Sequence, residues 1–276
     1  MDKVRGFEAI PIGGRLKIKI ETRSPVTIGA GKSAVDPLAP DIPLLRDSLG
    51  KPVIPGSTLK GFFRSYMEKG LASAGVRNYS GLIGNLFGKI VEREGWGSKL
   101  LFSDATVVGS YKILSREHIQ LDPRTMTVVQ GPFEQEYVPS GTVFEGVIDF
   151  RNIPPSILSL LSLVASFAEI GVARIGRSKS RGYGRVKITF DNPAFFFVGD
   201  LASAEAKVKY VIRLVDKDIE VSVTKKNGKI SVIDSIVGRS IEGSIEKEHP
   251  ILLFAVFNWK EIEGLLGDVV RKLKGE

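Results

Sequence analysis

Cysteine is absent from this chain of 276 residues, and histidine occurs only at His118 and His249. The first absence excludes disulfides, thiolate metal sites and thiol nucleophiles, and permits an intracellular address. The second leaves no HExxH or paired-histidine spacing for a zinc centre. No G-K-[ST] follows the glycine spacing of a phosphate-binding Walker loop, and no GxSxG elbow is present. Long apolar runs are missing too: none reaches the roughly 18 to 20 residues of a membrane helix, and the opening MDKVRGFEAI lacks a signal-peptide core. These absences predict a cytoplasmic protein without a membrane partner.

What is present is a hydrophobic fraction of 43%, enough for a substantial core, and 39 basic against 31 acidic residues, a net charge of +8. Such an excess favours a polyanionic partner without identifying one.

Residues 15–22, RLKIKIET, alternate with period two: Leu16, Ile18 and Ile20 lie on one face, Arg15, Lys17 and Lys19 on the other. That predicts a half-buried strand with a basic open side. After a Gly-, Pro- and Asp-rich segment (24–56), Leu59, Phe62, Phe63, Tyr66, Met67 and Leu71 recur at helical spacing, with Ser57 as the expected N-cap. KLLFSDATVV (99–108) and TVFEGVIDF (142–150) read as strands, separated by a polar segment (109–141) too long for a hairpin turn. SILSLLSLVASFAEIG (156–171) reads as a buried helix closed by Gly171. A strand follows, with Val186, Ile188 and Phe190 on one side. The order β, α, β, insertion, β, α, β is the ferredoxin-like (RRM-like) order, so the expected fold class is α+β. Residues 219–234 predict a hairpin turning at Asn227-Gly228, and Ile262 to Leu273 an amphipathic last helix. We divide the chain into a core of residues 1–199, with insertions at about 24–56 and 109–141, and a smaller α+β unit of 200–276.

Three constellations carry chemistry. The helix start after Pro55-Gly56 offers amide groups and a positive dipole end to an anion, with Lys60 and Arg64 on the adjoining turns; it is equally the start of an ordinary capped helix. The loop VARIGRSKSRGYGR interleaves glycines with Arg174, Arg177, Lys179, Arg181 and Arg185, a pattern suited to a backbone approaching phosphates. Asp36, Asp41 and Asp47 lie in the 24–56 segment; a carboxylate there can hold a divalent cation at a phosphodiester, although loop aspartates commonly form turns and caps. His118 can serve as a general base or be a plain surface histidine.

Taken together, DIPLLRDSLGKPVIPGSTLKGFFRS (41–65), LFGKIVEREGWGSKLLFSDATVV (86–108) and RIGRSKSRGYGRVKITF (174–190) resemble the RAMP superfamily of CRISPR-associated proteins. Within it they resemble the Csm3-like backbone subunits of type III effector complexes, Csx7 variants included. HIQLDPRTMTVVQGPFEQEYVPSGTVFE (118–145) is similar to the inserted segment of that group. The resemblance spans about residues 14–190 and implies a subunit that stacks with further copies of itself and other RAMP subunits along a guide RNA (crRNA), an inserted thumb kinking the strand. It implies guide contacts from Lys17, Lys19, Ser57, Lys60, Arg64, Arg177, Lys179, Arg181, Gly182, Tyr183 and Gly184. It also implies cleavage of target RNA at Asp41, with Asp36 as the competing position, using Mg²⁺ or Mn²⁺. Two other readings stand beside it: a structural guide-binding subunit that never cuts, and a metal-independent endoribonuclease using His118 on precursor RNA.

Overall fold

In the computed structural model, which describes residues 9–30, 40–91, 94–201, 203–215 and 217–275, the alternating segment forms β1 (Ile12–Thr22), with Leu16, Ile18 and Ile20 at most 1% exposed. The elements that follow are β2 (Val53–Ile54), α1 (Gly56–Ser73), α2 (Tyr79–Phe87), β3 (Lys89–Val91), β4 (Glu94–Trp96), β5 (Leu100–Phe102) and β6 (Ala105–Val108). Next come β7 (Leu114–Leu121), β8 (Val128–Tyr137), β9 (Val143–Arg151), α3 (Pro155–Leu158), α4 (Leu160–Glu169) and β10 (Val186–Phe190).

β1 pairs antiparallel with β9 on one side and β10 on the other, and β9 pairs in turn with β5 and β6. The spatial order β10-β1-β9-β5/β6 is the order of a ferredoxin-like sheet, as the α+β expectation required. α1 and α4 pack on one face, where Phe63, Met67, Leu161 and Val164 join Leu16 and Ile20 in one core. Truncating a buried isoleucine such as Ile20 to alanine costs about 2–5 kcal/mol.

Three local expectations need correction. The 99–108 strand is two strands, β5 and β6, because Ser103 and Asp104 break it, and Asp104 then serves α1: its Oδ1 accepts the Gly56 N–H at 2.8 Å. Ser57 is not the N-cap; Pro55 holds that position and the helix begins at Gly56. The 156–171 helix is α3 and α4, interrupted at Ser159, where the Ser159 and Ser162 hydroxyls bond back to carbonyls three residues earlier. Gly171, at φ +80°, follows α4 as expected.

Residues 109–141 contain a separate two-stranded hairpin, β7 with β8. Ile119, Met126, Val128 and Val129 are more than half exposed on it.

The sheet continues through β11 (Ala194–Val198), β12 (Ala206–Leu214), β13 (Lys217–Lys226), β14 (Lys229–Asp234), β15 (Ser240–His249) and β16 (Leu252–Phe257), followed by α5 (Trp259–Glu263) and α6 (Leu266–Lys274). β11 pairs with β1 at Ile12–Arg15, beyond the end of β10, and with β16 on its other side. Gly13 and Gly14 permit this: a Cβ on Gly14 would sit 2.2 Å from the Ala194 carbonyl. The predicted hairpin is β13–β14, with Asn227 (φ 52°) and Gly228 (φ 72°) both left-handed, as a tight primed turn demands.

Candidate nucleic-acid interface

The candidate residues fall on three surfaces. On the open side of β1, Lys17 and Lys19 are exposed, as the alternation required. Their neighbours offset the charge. Arg15 is held by Asp149 through two hydrogen bonds of 2.7 and 3.1 Å, Lys19 lies opposite Glu145, and Lys187 lies opposite Glu21. Asp191, whose N–H donates to the Lys17 carbonyl, adds a further carboxylate. The face is therefore mixed in sign, where β1 read alone is basic.

At the second surface, the start of α1, an internal anion is already in place. The Gly56 amide is bonded to Asp104, and a Cβ on Gly56 would lie 2.2 Å from the Phe102 carbonyl, so the protein's own backbone covers this point. Asp104 thus takes the Gly56 amide itself, while the amides after Gly56 are the ones expected to meet a phosphate. Ser57 is exposed and Lys60 half-buried on the first turns, and Arg64 donates to the Gly88 carbonyl at 3.1 Å, tying α1 to the end of α2.

The third surface is a cleft of about 570 Å³ bounded by the hairpin, the glycine-basic loop and the segment entering at Asp41. Asp41, His118, Phe133 and Arg181 line it, with Ile119 and Leu121 as apolar walls. Asp41 is brought there because residues 41–46 run alongside β8: Ile42 N–H donates to the Glu134 carbonyl, Glu136 N–H donates back to Ile42, and Glu136 accepts from Leu44 N–H and Arg46. The Glu134 N–H donates to Asp41 Oδ2 at 3.1 Å, which aims the carboxylate. Asp36 lies outside the described residues.

His118 stacks on Phe133, with ring centres 5.4 Å apart and planes 25° apart, and tilts against Tyr183. The β7–β8 register shifts just after His118, and such a bulge bends a hairpin and redirects its side chains. Arg116 lies over the rings of Tyr137 and Tyr183. Burial first, then the nearby Arg181 and Arg116, hold the His118 imidazolium below its ordinary range, so the ring is neutral near pH 7.

The glycine-basic loop uses its glycines against its own chain. Gly184, at φ +88°, donates to the Pro25 carbonyl, and a Cβ there would lie 2.3 Å from the Ile175 carbonyl. Tyr183 is 1% exposed and packs edge-on against Tyr137, so its ring is closed to a base; its expected RNA contact is corrected on that ground, and that of Gly184 likewise. Gly182, Arg177, Lys179 and Arg181 are exposed. Sequence reasoning missed Gln135, fully buried, whose amide donates to Thr27 and accepts from Ser178. It joins the segment after β1, the hairpin base and the glycine loop. The alternation Phe133, Gln135, Tyr137 was the signal that could have found it.

A profile of the RAMP superfamily matches residues 19–187. The chain belongs to the RAMP superfamily. The match takes in the end of β1, α1, the hairpin, α4 and the glycine loop, and so every side of the cleft. Among solved structures, this RAMP protein is similar to a chain in a cryo-EM structure of the Type III-B Cmr-beta bound to cognate target RNA (19% identity, TM-score 0.49, covering 64% of this chain and 60% of that one). It is also similar to a chain in the apo-state structure of the Type III-B Cmr-beta (15% identity, TM-score 0.48, covering 64% and 96%). Comparison with curated proteins gives no match.

Among the described residues of this RAMP protein, no three His, Asp or Glu side chains gather to hold a metal ion, and no helix is long and apolar enough to cross a membrane. Asp41 is a single hard oxygen donor at the cleft. The described residues therefore form no resident protein cage for a metal ion.

Proposed function

We propose that this RAMP protein is a guide-RNA-binding backbone subunit of a type III CRISPR complex, of the Csm3-like kind, working in the cytoplasm alongside other RAMP subunits and further copies of itself. In this reading it cuts complementary target RNA at Asp41. The observation that carries the proposal is the cleft in which an anchored Asp41 shares one space with Arg181, at the base of a hairpin whose outer part is apolar and exposed. Arg181, Lys179 and Arg177 supply cations to phosphates without reading sequence. The exposed Ile119, Met126, Val128 and Val129 suit insertion beside unstacked bases, as the thumb of this group implies. A divalent cation shared by Asp41 and the scissile phosphate would offset charge developing at that phosphate.

The experiment is to recover the tagged protein from its host, sequence the RNA that accompanies it, and offer RNA complementary to that guide in the presence of Mg²⁺. Short RNAs with a common repeat-derived end, and cuts at regular spacing, are expected. Asp41→Ala should keep the guide and lower the cutting rate at least about a hundredfold. Protein recovered without RNA overturns guide binding. Retained guide with intact target establishes a structural subunit that does not cut.

A further inference from the structure

β11 and β16 break the pattern of the sheet they belong to. An antiparallel sheet with one face in water alternates apolar and polar residues, and β12 obeys: Tyr210, Ile212 and Leu214 are buried while Lys207, Lys209 and Arg213 are exposed. On β11 and β16 both faces are apolar. Phe195, Phe197, Leu253 and Ala255 are at most 1% exposed on the core side, and Phe196, Val198, Leu252, Phe254 and Val256 occupy the helix-free side. The register sets Lys247, Phe254, Phe196 and Gly13 in one row across β15, β16, β11 and β1. Gly13 has no side chain, so Phe196 leans across it: a Cβ there would stand 2.5 Å from the ring. Phe254 lies beside Phe196, with ring centres 6.5 Å apart and planes at 57°, and both rings are only half-buried.

Cations border these rings on both sides. Lys247 ends the row on β15, and Lys17 stands on the same face of β1; among the described residues neither forms an ion pair. Arg15 is held by Asp149, and Lys17 shares a neighbouring pocket of about 590 Å³ with Asp191, Asn192 and Ala194, the last only two residues before Phe196. Further along the face, Lys207 and Lys209 stand opposite the hydroxyls of Thr224 and Ser222 and not opposite carboxylates, while Glu242 reaches Lys229 at 3.4 Å. We propose that the helix-free face of β11 and β16 is a second binding site for single-stranded RNA, taking a strand separate from the guide: bases stack on Phe196 and Phe254, and phosphates meet Lys247 and Lys17. Aromatic rings bordered by unpaired lysines are the chemistry that holds an unpaired strand without reading its sequence. Both rings lie beyond residue 187, where the RAMP match ends, so the site goes beyond the guide-binding reading above.

The test uses the full chain with whatever RNA it carries, a short uridine oligomer not complementary to that RNA, and photo-cross-linking through thiouridine read by mass spectrometry. Cross-links are expected on the peptides that hold Phe196 and Phe254. Phe196→Leu and Phe254→Leu keep an apolar side chain and remove the ring, so each should weaken oligomer binding about tenfold, while Phe254→Trp should hold it. Lys247→Ala should lower the slope of log affinity against log salt by about one. A fully paired RNA of the same length should give no cross-link there, because its bases are not free to stack. Cross-links confined to the cleft, or leucine variants that bind the oligomer as wild type does, overturn the proposal and leave the guide-binding reading standing. Leucine variants that change the mass of the assembly at unchanged RNA affinity overturn it too, and assign the face to a second copy of the chain. The added oligomer reads this face whether or not guide RNA is present, so failure of the guide-binding reading does not by itself remove the platform.

Discussion

The outer face of β1 and the cleft at Asp41 both present cations, but the two surfaces treat them in opposite ways. On β1, Arg15 is held by Asp149, Lys19 faces Glu145, and Asp191 lies beside Lys17. At the cleft, Arg181 lines the wall and Arg116 lies over the rings of Tyr137 and Tyr183, with His118 kept neutral by burial and by both arginines. A run of bases in sequence is therefore a weak guide to binding. Strand register decides whether each charge meets its opposite across the sheet, where facing charges partly cancel, or is left to an incoming phosphate.

The sharpest way to strain the comparison is through the loop that shapes the cleft. Gly184→Ala forces a left-handed residue against the Ile175 carbonyl and should cost about 3 kcal/mol in denaturant unfolding. Gly182→Ala, equally left-handed at φ +91° but with open space around the added methyl, should cost about 1 kcal/mol. Equal losses would contradict the packing that closes the cleft on this side.

Next in size is the RNA contact itself. Arg181→Ala should weaken guide binding about tenfold and reduce the slope of log affinity against log salt by about one. Lys19→Ala should change affinity less than about threefold, since Glu145 already balances that charge. If the lysine matters as much as the arginine, the sheet face and not the cleft is the main track for the strand.

A third variant probes the helix start. Asp104→Ala removes the carboxylate on the Gly56 amide and should cost about 1 kcal/mol of stability, read from the unfolding midpoint. An unchanged midpoint would mean that solvent replaces the carboxylate without loss.

The smallest effect is one of pH. The folded state holds His118 below the 6.5 of a free histidine, so the unfolded chain binds the extra proton first. Its share of stability is present above pH 6.5 and is lost as the pH falls toward the lower folded value. His118→Gln should flatten that part of the stability curve, measured by unfolding at pH 5 and pH 7.5.

Local pattern alone predicts β1, α1, β9, helical structure over 156–171 (as one helix, where there are two) and the Asn227-Gly228 hairpin, because each buries apolar residues of its own pattern, or turns at its own glycine, wherever it sits. The RAMP resemblance points to Asp41, the residue before IPLLRD, with Asp36 as its competitor. What local pattern could not supply is pairing across long separations. Asp104, 48 residues from Gly56, takes the first amide of the helix. The register of β1 against β9 and β10 turns a basic strand into a neutral face. Tyr183, which reads as a stacking platform beside glycines, is buried because Gly176 and Gly184 let its loop press onto the backbone of residues 25–27. Asp41, His118 and Arg181, each carrying a separate hypothesis along the chain, become one site only where β8 gathers the loop before it, the hairpin around it and the glycine turn after it. Residue types and their spacing thus determine which groups the protein owns; tertiary structure alone decides which of them face each other, because charge pairing and burial act through distance in space and not along the chain.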